Sequence, residues 1–267
     1  MGANIKQLRT RIKSVDSTLH LTKAMGLVAS SKIRKATDSM NKGLAYATAF
    51  KDTVSLLTSY DECKKTPYMS DRGEDRICLI VIAGDRGLAG GYNANIFRML
   101  RDYPTAKIIP IGKRACERFG VSIQSAENYP YSNAIALSNE ICKDFVEGKF
   151  DKFGILCTKY VSLMSQEAHI QWILPLVPEK SEKSNTAIFE PDELTVLNSV
   201  VPDYIASMIM ACVKESFACE VAARRVAMDN AEKNAREMID SLELEYNRAR
   251  QGAITQEITE IVAGSGI

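Results

Sequence analysis

Apolar residues recur along the first third of the chain at alternating spacings of three and four. The positions are Ile5, Leu8, Ile12, Val15, Leu19, Thr22, Gly26, Ala29, Ile33, Ala36, Met40, Gly43, Ala47, Phe50, Val54 and Leu57; only Thr22 and the two glycines are not apolar. No proline occurs before Pro67. A 3.5-residue period held this long predicts a helix with a left-handed coiled-coil seam, about 80 Å long at 1.5 Å per residue. Small residues thin the middle of this seam, at Gly26, Ala29, Ala36, Gly43 and Ala47. They permit close helix approach, although each glycine costs about 1 kcal/mol of helix stability against alanine. Gly26 and Gly43 read equally well as tolerated imperfections or as points of close contact.

The other end of the chain mirrors this pattern. Pro202 followed by Asp203 suits a helix start. Apolar positions continue through Ile205, Ile209, Val213, Phe217 and Val221, then Met228, Ala231, Ala235, Met238, Leu242, Tyr246, Ala249 and Ala253, to Ile254, Ile258 and Ile261. Gly264 and Gly266 supply the stop. Neither helix can bury its stripe in one compact domain, so the economical arrangement is an antiparallel pair.

Between the helices the period changes. After Arg76, Ile77 to Ala83 is a continuous apolar run rich in β-branched residues, as in a strand buried on both faces. Further strands are predicted over Lys107 to Ile111, Phe153 to Thr158 and Gln166 to Leu174. Helices are predicted over about Asn93 to Arg101, Lys113 to Phe119 and Ala134 to Glu147. This alternation predicts an α/β fold: a long antiparallel two-helix coiled coil formed by the N- and C-terminal helices, with an inserted Rossmann-like α/β domain. The expected divisions are 1–66 for the N-terminal helix, 67–192 for the α/β domain and a polar linker over 177–192, and 193–267 for the C-terminal helix.

The net charge of +1 over 267 residues conceals an asymmetry. Residues 1–42 carry nine Lys/Arg against two acids, a net +7, whereas residues 203–267 carry seven against eleven, a net −4. Ends of opposite charge suit side-by-side packing and leave basic surface for an acidic partner. The longest apolar run, Ile77 to Ala83, falls far short of the roughly 20 residues of a membrane span, and residues 1–25 lack a signal-peptide pattern. Seven cysteines without a CxxC pair read as reduced packing residues.

Candidate chemistry is sparse. The loop Gly84 to Asn93 follows a strand and precedes a helix, where backbone N–H groups can bind an anion. Its glycines do not fit GxGxxG, and no GK[ST] follows. Its structural reading is a tight turn, with Asp85 and Arg86 fixing it through hydrogen bonds and Gly87, Gly90 and Gly91 permitting it. His20 and His169 are isolated, which leaves no zinc set, and no GxSxG or Cys–His signature is present. No cofactor and no metal are expected. A nucleotide-using enzyme on the central sheet and a coiled-coil or nucleic-acid module remain as alternatives. The acidic C-terminal helix would offset the basic field that nucleic acid requires.

Four strings carry a resemblance. They are Met1-Gly-Ala-Asn-Ile-Lys-Gln-Leu-Arg-Thr-Arg-Ile with Leu21-Thr-Lys-Ala-Met-Gly-Leu-Val-Ala-Ser-Ser-Lys-Ile-Arg-Lys-Ala36, then Asp85-Arg-Gly-Leu-Ala-Gly-Gly-Tyr-Asn93, then Tyr246-Asn-Arg-Ala-Arg-Gln-Gly-Ala-Ile-Thr-Gln-Glu-Ile-Thr-Glu-Ile-Val-Ala-Gly264. In order and across the whole chain they resemble the gamma subunits of F-type ATP synthases. The resemblance implies a central rotor shaft without a catalytic site of its own. Its implied partners are three alpha and three beta subunits, an epsilon subunit and the membrane c-ring, with no nucleic acid. It implies a peripheral place at the cytoplasmic face of a bacterial plasma membrane. It also implies that Lys23, Met25, Arg225, Arg250 and Gln251 meet the alpha/beta ring, and that an apolar tip of Ile254, Ile258, Ile261 and Val262 enters a bearing there. A solvated coiled-coil face is the plainer explanation for the charged members of this set.

Overall fold

The structure, a computed structural model, describes residues 2–178 and 188–264. Its elements are α1 (Gly2–Thr58), β1 (Ile77–Ile82), α2 (Tyr92–Met99), β2 (Lys107–Ile111), α3 (Lys113–Phe119), α4 (Tyr131–Val146), β3 (Lys152–Tyr160), β4 (Gln166–Leu174) and α5 (Glu193–Gly264). The chain divides into two compact units. One holds residues 1–30 and 224–267, the other residues 31–223.

In the larger unit the strands form one sheet in the order β2-β1-β3-β4, with β2, β1 and β3 parallel and β4 antiparallel to β3. Successive residues of β1 point to opposite faces. Cys78, Ile80 and Ile82 join a core with Ile155, Phe153, Leu57, Ile205 and Ile209. Leu79 and Val81 join a second core with Leu156 and Ile96. Both faces are therefore covered, which is why β1 reads as an unbroken apolar run. Pro110 lies on β2, an edge strand, where its missing N–H breaks no ladder.

The α1 stripe is buried as its period predicts: each of its sixteen positions from Ile5 to Leu57 is buried or half-buried. Within the larger unit, Ala36 packs with Ala218, and a Cβ placed on Gly43 would lie 3.7 Å from the Ala211 Cα. Seven residues forward on one helix match seven backward on the other, so the pair is antiparallel and in heptad register.

Two expectations are corrected. α5 starts at Glu193, so Pro202 lies inside the helix rather than at its start. The start is set by Asp192, whose carboxylate accepts from the Thr195 backbone N–H at 2.8 Å and from its hydroxyl at 2.8 Å. Met238 is exposed and Ile239 is half-buried in its place. Ile239 keeps the four-three alternation of Ala235, Leu242, Tyr246 and Ala249, which Met238 would break. The polar linker falls largely on residues 179–187, outside the described residues, as does Gly266.

One 18-residue window of α5 is apolar enough to cross a membrane by length and composition, and 61% of it is buried. Periodicity alone does not separate such a core helix from a span. Here α5 supplies Leu197, Val201, Ile205 and Ile209 to the core against the sheet.

Candidate functional site

Two regions carry the residues singled out from the sequence: the paired helices of the smaller unit and the turn that follows β1. In the smaller unit Leu8, Thr22, Gly26 and Ala29 of α1 and Met228, Ala235 and Leu242 of α5 are buried. A Cβ on Gly26 would meet the Met228 Cβ at 3.5 Å, so this glycine marks close helix approach. Arg225 spans the seam. Its Nη1 donates to the Gly26 carbonyl at 3.2 Å and to the Ser30 hydroxyl, and its Nε pairs with Asp229 at 2.7 Å.

The other expected contact residues face outward to varying degrees. Lys23, Arg250 and Gln251 are exposed, and Met25 is half-buried. The Gln251 carbonyl accepts the Thr255 hydroxyl at 2.9 Å. At the end of α5, Ile254, Ile258, Ile261 and Val262 are 48, 56, 70 and 58% exposed. The region brings these four together on one helix end, and it holds Arg225 near Met228 and Gly26 rather than near the tip.

The turn after β1 sits at the topological switch point of the sheet, since β2 and β3 lie on opposite sides of β1. In open α/β sheets this is the usual ligand crevice. Here the chain fills it with its own carboxylate. Glu220 of α5 is 1% exposed and accepts the Asp85 backbone N–H at 3.2 Å and the Arg86 backbone N–H at 3.3 Å. The donors that would cradle a phosphate are already occupied. Gly84 allows this approach, because a Cβ there would lie 2.8 Å from the Glu220 Cδ. The Gly84 N–H donates to Asn93 Oδ1 at 2.9 Å, and the Tyr92 hydroxyl donates to the Ser216 carbonyl at 2.9 Å.

Asp85 binds a different segment from the one expected. Its carboxylate accepts the Ser125 hydroxyl at 2.5 Å and the backbone N–H groups of Ala126 at 2.9 Å, Glu127 at 3.0 Å and Lys113 at 3.0 Å. Partial burial raises its pKa, but these four donors outweigh burial and hold the carboxyl below its ordinary value. Arg86 is exposed, with its guanidinium 3.9 Å from Glu127. Gly90 adopts φ 56° and Leu88 φ 59°, the left-handed values a reversal this tight requires. Gly87 and Gly91 line the rest of the turn.

Sequence reasoning missed Glu220 and its neighbour Glu215, which accepts the Tyr160 N–H at 2.9 Å. The available signal was two carboxylates in the mostly apolar stretch 205–223. The thiols are packing groups. Burial pushes Cys78 up to about 12 and Cys142 up to about 11, which leaves both protonated near neutrality. Among the described residues no group of three or more His, Cys, Asp or Glu is placed to hold a metal ion.

The family model described as "ATP synthase" matches residues 4–266. The ATP synthase gamma chain of Ruminococcus albus is 39% identical to this chain, covering 98% of both. The chain belongs to the ATP synthase gamma-chain family. The sodium-ion-specific ATP synthase gamma chain of Acetobacterium woodii is 34% identical, covering 99% of both. A chain of the Euglena gracilis mitochondrial ATP synthase OSCP/F1/c-ring assembly has the same fold. It superimposes with a TM-score of 0.70 at 19% identity, covering 100% of this chain and 95% of that one. In this gamma chain the match thus spans the paired helices and the sheet alike, and the Glu220-filled turn lies inside the matched region.

Proposed function

We propose that this gamma chain is the central rotor shaft of an F-type ATP synthase and has no catalytic site of its own. The observation that carries this reading is the uncovered end of α5. Four large aliphatic side chains stand 48–70% exposed on the last turns of a helix whose seam is otherwise buried as far as Leu242. An apolar cluster of this kind needs a cover, and a close-fitting sleeve of partner subunits provides one. Lys23, Met25, Arg225, Arg250 and Gln251 would then meet three alpha and three beta subunits. The opposite end of the chain's assembly would rest on the epsilon subunit and the c-ring, peripherally at the cytoplasmic face of a bacterial plasma membrane.

Two physical requirements of that role have counterparts here. A rotor must differ from side to side to bias three equivalent sites differently, and a two-helix pair with unlike helices has no threefold symmetry. Ion flow turns the c-ring and the shaft with it. The changing contacts then shift each beta subunit through binding, synthesis and release. The chain's own α/β switch point is filled by Glu220, which supports a structural rather than a nucleotide-binding domain.

Reconstitution tests this. Alpha and beta subunits from the same source are mixed with the full chain, fractionated by size and assayed for ATP hydrolysis. One copy per three alpha–beta pairs, with raised turnover, is the expected result. Folded chain that neither joins the ring nor alters its turnover overturns the rotor reading and favours a coiled-coil module with another partner.

A further inference from the structure

The larger unit contains a cavity of about 400 Å³ that none of the roles above uses. It lies between α1, the 126–129 segment and α5, within the size range of small-ligand pockets, about 300–1,000 Å³. Its lining includes the apolar residues Ala36, Met210, Val213 and Phe217 together with Tyr129. It also includes three lysines, Lys32, Lys35 and Lys214, and a single acid, Glu127.

That acid is already engaged. Glu127 Oε1 lies 2.6 Å from the Lys32 ammonium and Oε2 lies 3.9 Å from the Arg86 guanidinium. Its backbone is held in place by the Asp85 carboxylate. Among the described residues Lys35 and Lys214 have no carboxylate partner, so the pocket retains an uncompensated positive charge against apolar walls. Such walls focus the field on whatever enters.

Lys214 is also placed deliberately. Its stem lies over Gly43, where a Cβ would come within 3.0 Å of the Lys214 Cδ. A glycine in mid-helix costs about 1 kcal/mol, and here it makes the groove in which this lysine stem lies on its way to the pocket.

We propose that this cavity binds a small organic anion: a carboxylate or phosphate held by Lys35 and Lys214, carried on an apolar or aromatic body that packs against Met210 and Phe217. The proposal is independent of the rotor role. Two sources share this chemistry, a short-chain fatty carboxylate and a nucleotide monophosphate, and the test separates them.

The purified full chain is titrated calorimetrically with octanoate, adenosine 5′-monophosphate, inorganic phosphate and neutral 1-octanol. Binding at the pocket is followed through the ¹³C-methyl signal of Met210. Saturable one-to-one binding of octanoate or of the nucleotide is expected, with a shift of Met210, and whichever binds identifies the source. Inorganic phosphate and octanol should each bind at least tenfold more weakly. The double variant Lys35→Gln/Lys214→Gln, in which both changes fall on exposed or half-buried side chains, should weaken binding at least tenfold. Gly43→Ala should weaken it several-fold by pushing the Lys214 stem aside. The proposal is overturned if neither organic anion saturates, if the double variant binds as well as the parent, or if octanol matches octanoate.

Discussion

Replacing Asp85 with alanine removes one carboxylate that joins three segments of the larger unit. It accepts from the Ser125 hydroxyl and from the N–H groups of Lys113, Ala126 and Glu127, and so ties the end of β1 to the start of α3 and to the 125–127 loop. Hydrogen bonds to a charged acceptor are worth about 1.5–3 kcal/mol each, and a buried donor left unpaired costs about 1–3 kcal/mol. Simple addition overshoots here, because the carboxylate is half-buried and water replaces part of what is lost. The expected destabilisation is about 3 kcal/mol. In a unit of this size each kcal/mol moves the midpoint by about 2–4 °C, so Tm should fall by about 6–12 °C.

The assay is urea unfolding read by the fluorescence of Trp172, the single tryptophan, which sits on β4 with Lys152 Nζ 4.2 Å above its ring. Acidity adds an independent signature. The folded carboxyl titrates below its ordinary value, so its contribution is complete above the unfolded pKa of about 3.9 and is lost as pH falls through the lower folded pKa. The gap between parent and Asp85→Ala should therefore stay constant from neutrality to about pH 5 and close below about pH 4. A gap under about 0.5 kcal/mol at pH 7, the level of ordinary surface substitutions, refutes the reasoning. So does a gap that stays the same in acid.

Three further outcomes follow from the same geometry. Gly84→Ala should destabilise the larger unit by about 1–3 kcal/mol through overpacking, since its Cβ would press on the buried Glu220 at 2.8 Å; Gly91→Ala, with its nearest neighbour at 3.7 Å, should be close to neutral in the same urea series. Gly112→Ala should yield mostly insoluble chain on expression, because φ is +94° and the added Cβ would lie 1.9 Å from the Ala83 carbonyl oxygen, which no side-chain movement relieves. Ala29→Leu places a large side chain at a seam position that is 3% exposed, and circular-dichroism melting should show a loss of about 1–3 kcal/mol, whereas Lys23→Leu on the exposed face should not.

The sequence by itself determined the helices, the strands and their faces. Those depend on local periodicity, and the pattern reports it directly: the α1 stripe from Ile5 to Leu57 and the strand at Gln166–Leu174 stand where the pattern puts them. Capping and one seam position were harder to read. Pro202 looked like a helix start because proline is at home in a first turn, but Asp192 caps the helix ten residues earlier and the proline is absorbed inside it. Ile239, not Met238, takes the seam position because it alone keeps the four-three alternation between Ala235 and Leu242. Only the tertiary structure decided what the glycine turn holds. Glu220 is more than 130 residues from Asp85, and nothing local in either segment encodes that a buried carboxylate on α5 will occupy the sheet's switch point. The same is true of the free lysines over the cavity, whose meaning depends on which acids fold beside them. Local pattern fixes which face of an element is buried. Which distant charge meets it depends on long-range packing, and that information lies in no single stretch of the chain.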